Sequence, residues 1–487
     1  MASTDAQPTG PTQRPQPFTR SKGQPIMKRI PPSLARLLAT ACLAPIPAMS
    51  ARADVPAPAA SGSEVQPAGA ATDTAPAPTS PAATPAPDAA PAPAPLAPAP
   101  AEAAHAPVAS EGSFDGALGK GLTFRSSKGD LTLNLRTRAQ LRGVAELPDD
   151  GPAEVGFVPR RLRLAMRAAM PKQDVELYIQ LGFAPGDLDP DFPSIVRDAM
   201  LTWRPSSAFH LRFGQGKVPF GRERVISSSA LSYVDRTIVN AELNLDRDAG
   251  LWFGLDQLDG EGHLGLVAGV SGGNGRNVLN DDTGLLYVAR LEYKLDPKQQ
   301  DYTEFDFRAD TSKPVLGIGA GAALNQGTSR ARSTIGCFNS LGESEAGEPK
   351  AQCLPLGHAD TGTALQADLF HTEVDLIAKW HGWSLQAEFL TRRAVSADEG
   401  LKTRDSYGWF ASLGRAVTDN VWVGARFAEV LPWDDNSPVK PSRELRGTLG
   451  FFPHGHDLKI QLDAGRLYSS DMADGTTEVR VQTQLFL

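Results

Sequence analysis

Residues 209–224 read Phe-His-Leu-Arg-Phe-Gly-Gln-Gly-Lys-Val-Pro-Phe-Gly-Arg-Glu-Arg. Phe209, Leu211 and Phe213 alternate with His210, Arg212 and Gly214, the period of two that gives a strand one apolar and one polar face. At Gly214 the alternation stops. Two further glycines, a proline and the cations Lys217, Arg222 and Arg224 follow, a composition that belongs to a segment leaving a sheet. The stretch reads as a membrane strand turning into a basic loop.

The same pattern recurs through the chain from Gly121 to Leu487. Leu131, Leu133, Leu135, Ala139 and Leu141 share one face, and Asn134, Arg136, Arg138, Gln140 and Arg142 share the other. Leu162, Leu164 and Met166 then oppose Arg161, Arg163 and Arg167, and Glu176, Tyr178 and Gln180 form the polar face of the next segment. Further alternating segments begin near Ile195, Phe209, Ala249, His263, Gly284, Val315, Gln366, Trp383, Tyr407, Val421, Glu444, Leu458 and Thr477, which brings the total to sixteen. Sixteen is even, as single-chain bacterial barrels require, and each segment is about long enough for a tilted span. The fold class expected is all-β, a sixteen-stranded antiparallel transmembrane β-barrel.

The connections alternate in length as such barrels demand. Pro171–Gln173, Pro205–Ala208, Gln257–Gly262, His381-Gly382, Val417–Asn420 and Pro453–His456 read as short turns. Gly143–Phe157, Pro185–Ser194, Lys217–Asp248, Gly272–Thr283, Asn325–Leu365, Ala394–Ser406, Leu431–Arg443 and Ser469–Thr476 read as external loops. Asp296–Pro314 is long for its place among the turns, and its weak alternation from Tyr302 to Arg308 is read as turn rather than strand. Trp203, Phe209, Trp380 and Trp383 flank two of the turns, as residues of an interfacial girdle do.

Composition agrees with this reading. The 487 residues include 46 Gly and 41% hydrophobic residues, yet no window of about 18 uncharged apolar residues marks a transmembrane helix. A net charge of -8 speaks against a generally basic nucleic-acid binder. The N-terminal part divides into a polar extension (1–26), a signal peptide from Met27 to Ala53, and an Ala/Pro-rich linker (54–120) too poor in large apolar side chains to order itself. The barrel domain is 121–487, in an exported, Gram-negative context. Cleavage after Ala53 leaves two cysteines, Cys337 and Cys353, a disulfide candidate within one external loop.

Chemical motifs are few. Gly269-Val-Ser271-Gly-Gly273 matches the nucleophile elbow of hydrolases, whose Ser needs a strand, a sharp turn and a helix, but the glycine-rich run after it has no helical pattern. An outer-membrane lipid hydrolase using Ser271 is the alternative reading. Asp187, Asp189, Asp191 and Asp198 have part of a calcium-loop spacing, with Phe192 where Gly is needed, and read better as a solvated acidic loop. The histidines form no metal pattern, and no nucleotide-cradling loop stands out, so neither metal nor cofactor is expected. The strongest constellation is cationic: Arg136, Arg138, Arg142, Arg161, Arg163, Arg167 and Arg212 on lumenal faces, with Lys217, Arg222 and Arg224 in the third external loop. Guanidinium forks match phosphate and carboxylate oxygens, and a ring of them in a constriction favours anions over cations.

Gly214-Gln-Gly-Lys-Val-Pro-Phe-Gly-Arg-Glu223 resembles the strand-to-loop segment of the phosphate-selective porins O and P, written there Gly-Gln-Phe-Lys-x-Pro-Phe. Arg247-Asp-Ala-Gly-Leu251 is similar to that family's Arg-Asp-x-Gly-x, and Trp383-Ser-Leu-Gln-Ala-Glu-Phe389 to its Ser-Leu-Gln-x-Glu-Tyr strand. The resemblance implies an outer-membrane porin, usually trimeric, whose third loop folds inward and whose lumen carries an arginine ladder. It also implies that Lys217 is the constriction cation. Partners implied are small phosphate-like anions, membrane lipids and lipopolysaccharide, and the barrel assembly machinery, with the linker in the periplasm; a general porin without phosphate specificity is the alternative. Two departures stand out: Gly216 replaces an aromatic, and the chain ends on Leu487 rather than an aromatic.

Overall fold

The computed structural model describes residues 112–188, 194–278, 283–298, 302, 313–329, 366–398 and 401–487, and the structural statements below concern these. The signal peptide, most of the linker, Cys337 and Cys353 lie outside them.

An N-terminal hairpin, β1 (Ser113–Ala117) and β2 (Gly121–Arg125), leads into sixteen longer strands. These are β3 (Thr132–Pro148), β4 (Glu154–Met170), β5 (Val175–Gly182), β6 (Val196–Trp203), β7 (Phe209–Lys217), β8 (Arg247–Leu255), β9 (Leu264–Ser271) and β10 (Leu286–Lys294). They continue with β11 (Val315–Thr328), β12 (Ala367–Trp380), β13 (Trp383–Ala397), β14 (Ser406–Thr418), β15 (Val421–Pro432), β16 (Ser442–His456), β17 (Leu458–Tyr468) and β18 (Gly475–Phe486). Each pairs antiparallel with the next, and β18 closes on β3 from Phe486↔Arg138 to Thr476↔Pro148. The barrel has sixteen strands, as the alternation predicts. The hairpin is the exception: β1 falls where the linker was expected to continue, and β2, at the start of the expected barrel domain, pairs with the first residues of β3, Thr132–Leu135, before β18 takes that edge at Arg138.

Burial is inverted relative to a soluble sandwich. On β3, Gln140 is fully buried while its neighbour Leu141 is 57% exposed. Val374, Leu413, Leu449, Ile460, Leu462 and Val481 stand exposed on the outside, whereas Glu373, Asp375, Gln386, Arg426, Arg446 and Gln482 are buried inside. An apolar exterior around a polar interior is the arrangement a bilayer imposes on a barrel, since closure satisfies every ladder and lipid rewards the apolar face. No helix among the described residues is long and apolar enough to cross a membrane; the crossing is made by strands.

Most short turns form as expected; at Pro453–His456, β16 runs on to His456 and the reversal falls at Asp457. His381 and Gly382 both have positive φ, 46° and 78°, the two-residue hairpin geometry that matches strand twist, and they join the paired Trp380 and Trp383. The other ends are less open than the sequence predicts. The connection expected at Gly143–Phe157 shrinks to 149–153 because β3 and β4 run on together, and β11, β13 and β15 likewise extend into their expected loops. Past the lipid-facing band both faces of a strand meet water, so alternation ceases while pairing continues. In the connection Asp296–Pro314, residues 303–312 lie outside the description, and β10 pairs directly with β11.

Candidate functional site

The opening strand runs three residues further than its alternation, to Lys217, and the reason lies in Gly214. Its φ is +129°, and a Cβ there would stand 2.1 Å from the Ala199 carbonyl oxygen, so only glycine lets β7 pass β6 so closely. Gly216 also meets a neighbour at once: a Cβ would lie 2.7 Å from Met200 Cε. Met200 therefore occupies the space into which an aromatic at 216 would project.

After Lys217 the chain enters the barrel. Residues 218–246 include two short helices, α1 (Arg222–Val225) and α2 (Ile238–Leu243). On one side the loop is held by apolar packing: Val218, Phe220, Val239 and Leu243 cluster with Leu286, Val288, Leu390, Phe410 and Val430 from lumenal faces of β10, β13, β14 and β15. That removes apolar surface from water inside the lumen at about 25 cal/mol per Å². On the other side lumenal side chains donate to loop carbonyls. Gln140 Nε2 reaches Ser228 O at 3.1 Å, Gln484 Nε2 reaches Ser229 O at 2.9 Å, Gln461 Nε2 reaches Ser232 O at 2.6 Å, and Arg426 Nη1 reaches Asp235 O at 2.7 Å. The loop is thus fastened around most of the circumference.

Asp235 is its main electrostatic anchor. The carboxylate pairs with Arg142 at 3.0 Å, Arg160 at 3.1 Å and Arg161 at 3.2 Å. Burial alone pushes its pKa up, but Arg161, Arg160 and Arg142 hold it well below the usual carboxylate range. Asp187, in the connection after β5, is fully buried rather than solvated, and pairs with Arg163 and Arg197. Burial raises its pKa too, and Arg163 outweighs that. Asp198 pairs with Arg247 at 2.9 Å. The acidic residues of the expected solvated loop that are described therefore serve arginines.

What remains open is a passage between this loop and the wall. A cavity of about 240 Å³ is lined by Arg160, Arg161 and Arg163 of β4, by Arg197 of β6 and Arg247 of β8, and by Lys217, Arg224, Arg236 and Arg276, with Asp246 as the single carboxylate among the described lining residues. Ion pairs among the described residues bring Asp187, Asp198, Asp235 and Asp246 to these cations, so four carboxylates face nine positive groups. A larger cavity of about 940 Å³ reaches the turn end of the barrel at Pro171, Asp174 and Arg204. The two share Arg163, Lys217, Ser228 and Arg247. That quartet marks the junction of the two spaces. Lys217 Nζ is held there by the carbonyls of Val225 at 3.0 Å and Ile226 at 2.9 Å.

The predicted residues fall into four groups. Arg161, Arg163, Lys217 and Arg224 line the small cavity, while Arg167 and Arg212 line the large one. Arg136 and Arg138 line a third space of about 320 Å³ beside Arg163 and Arg167; Arg136 also lies 4.0 Å from the Phe486 ring centroid. Arg142 and Arg222 line none of the three. Arg142 anchors Asp235, and Arg222 crosses to the opposite wall, where Asp375 lies at 2.5 Å and Glu292 at 2.7 Å. Sequence reasoning missed Arg160, Arg197, Arg236, Arg247 and Arg276 as lining residues. Arg247 was quoted only as part of a motif, although its alignment opposite Lys217 in the β7–β8 ladder is what brings it to the junction.

Ser271 ends β9 opposite Gly250 and Leu286, and the described residues after it, 272–278, are not helical. The strand-turn-helix geometry of a nucleophile elbow is not formed.

No curated protein matches the chain in sequence. Solved structures that resemble it include a loop L8 deletion mutant of OmpT from Vibrio cholerae, 11% identical, covering 74% of this chain and 100% of that one, with a TM-score of 0.48. The outer-membrane channel DcaP of Acinetobacter baumannii is 10% identical over 76% of this chain and 100% of its own, with a TM-score of 0.48. An anion-selective porin from Comamonas acidovorans is 11% identical over 73% of this chain and 100% of its own, at 0.47. The profile of the family described as phosphate-selective porin O and P matches residues 132–429, which run from the first barrel strand through the inward loop and the cationic junction into β15. The chain belongs to that family of outer-membrane channels.

Proposed function

We propose that the barrel is a passive, anion-preferring diffusion channel whose selectivity is set at the junction of Arg163, Lys217, Ser228 and Arg247. The observation that carries this reading is the small cavity, whose nine lining cations outnumber the four carboxylates paired with them, Asp187, Asp198, Asp235 and Asp246. In a narrow, low-dielectric passage such an excess lowers the barrier for anions and raises it for cations. The inward loop supports the reading because its apolar seat closes the β10–β15 side and leaves the solute beside the arginines.

Phosphate is the favoured solute among small anions. Guanidinium forks and an ammonium supply the donors that a tetrahedral oxyanion accepts, and the cations are held in place by Asp187, Asp198, Asp235 and Asp246. Sulfate and carboxylates share much of this chemistry. Single-channel recording separates them: phosphate blocks chloride current at lower concentration than sulfate or acetate if the site prefers it, and equal block by all three contradicts phosphate preference. The reading extends to a homotrimer in a bilayer of phospholipid and lipopolysaccharide, inserted by the barrel assembly machinery, with the N-terminal linker on the periplasmic side.

A further inference from the structure

Arg222 was expected among the anion-binding cations, and its surroundings give it another task. Its guanidinium is buried and held on two sides: Nε donates to Asp375 Oδ1 at 2.5 Å and Nη1 donates to Tyr302 O at 3.0 Å, while Nη2 forms an ion pair with Glu292 Oε1 at 2.7 Å without hydrogen-bond geometry. Asp375 belongs to β12 and Glu292 to β10, so one side chain ties the loop to two strands. The third partner comes from the other end of the barrel. Tyr302 lies in the turn-end connection after β10, is buried against Val315 and Ile377, and is fixed by its hydroxyl, which donates to Asp296 O and accepts from Asp296 N, both at 2.9 Å.

The consequence runs along α1. The carbonyl of Arg222 accepts Ile226 N at 2.9 Å, and the carbonyls of Val225 and Ile226 accept Lys217 Nζ. The start of the helix is pinned to the acidic wall, and its far end holds the lysine of the junction. We propose that Arg222 is a positioning residue for Lys217: a strut whose charge is spent on carboxylates and whose planar fork sets where the lysine stands in the passage. This rests on the channel reading above. It differs from a charge role, because a point charge on a flexible stem does not reproduce the fixed fork that donates to Asp375 and to Tyr302 O at once.

Three variants in planar bilayers test it: Arg222→Lys, Arg222→Gln and Lys217→Gln, with the double variant Lys217→Gln/Arg222→Gln. Reversal potential in a salt gradient and open-channel current noise are recorded for each. A strut predicts that Arg222→Lys, though it keeps the charge, lowers the anion-to-cation permeability ratio about twofold or more, the scale of coupling between residues in one network, and raises the noise. It also predicts that the double variant is no less selective than Lys217→Gln alone. Wild-type selectivity and noise in Arg222→Lys would overturn the proposal, as would additive losses in the double variant. If Arg222→Gln fails to fold, the Lys variant alone decides. A wild-type ratio near unity would instead contradict the channel reading, while the noise of Arg222→Lys would still judge the strut.

Discussion

Lys217 and Arg247 stand directly opposite each other in the ladder between β7 and β8. Like charges in that position cost stability, and here the cost is opposed by Asp198 and Asp246 on Arg247 and by two carbonyls on Lys217. On the proposed channel reading, a pair of cations kept side by side where the two cavities share their lining serves passing anions better than it serves the fold.

Reversing one of the pair therefore has a directional effect. Lys217→Glu places a carboxylate between Arg163 and Arg247, and the anion-to-cation permeability ratio falls. Reversal potential under a salt gradient reads it, and an unchanged potential removes Lys217 from the constriction.

Asp235 is expected to matter for stability more than for conduction. Asp235→Asn leaves Arg142, Arg160 and Arg161 without their shared counter-ion, and removing one partner of a buried pair costs about 3 to 5 kcal/mol. Thermal unfolding of the detergent-solubilised barrel measures the loss.

The same residue fixes a pH dependence. Its pKa is depressed in the folded protein, so its contribution is present above the unfolded value of about 3.9 and is lost as pH falls through the lower folded value. The difference in unfolding temperature between wild type and Asp235→Asn should hold steady from about pH 8 to about pH 5 and narrow below about pH 4. A difference that vanishes at neutral pH would contradict the ion-pair account.

Gly214→Ala should impair assembly. A Cβ would collide with the Ala199 carbonyl and the residue would have to hold a φ of +129°, a conformation costing about 1 to 3 kcal/mol beyond the clash. The folded fraction on unheated gel electrophoresis reads the effect, and a fully folded Ala variant would show that β7 can retreat from β6.

The lipid-facing assignment is tested at Leu462, mid-strand on β17 and 44% exposed. Leu462→Arg should destabilise by about 2 to 4 kcal/mol if the site lies near the bilayer midplane. Its buried neighbour Gln461 faces the loop, so Gln461→Leu should loosen the loop and leave membrane insertion intact. Equal insertion of the Leu462 and Gln461 variants would argue against the inside-outside assignment.

Much of this fold is legible in the chain because a barrel writes its two environments into alternate residues. Arg136, Arg138, Arg161, Arg163 and Arg212 were found from the period of two alone. Arg160 was not, because it sits at the register shift between Gln140 and Leu141, where an extra residue breaks the period. Arg236 and Arg276 come from loops, which carry no period. Arg222 is expected from the sequence as an anion-binding cation of the third external loop, and its pairing with Asp375, 153 residues further on, is announced by nothing local. The N-terminal hairpin was missed for a related reason: Ser113–Ala117 has five residues and one large apolar side chain, Phe114, too few to show a period of two beside the Ala-rich segment before it.

The central claim, an anion-preferring passage set by nine cations around the junction, is tested most directly by the reversal potential of the wild-type channel in a planar bilayer with a potassium chloride gradient. The account predicts stable ohmic steps and a potential of the sign that chloride permeability gives; a potential of zero, or one of the sign given by potassium, would contradict it.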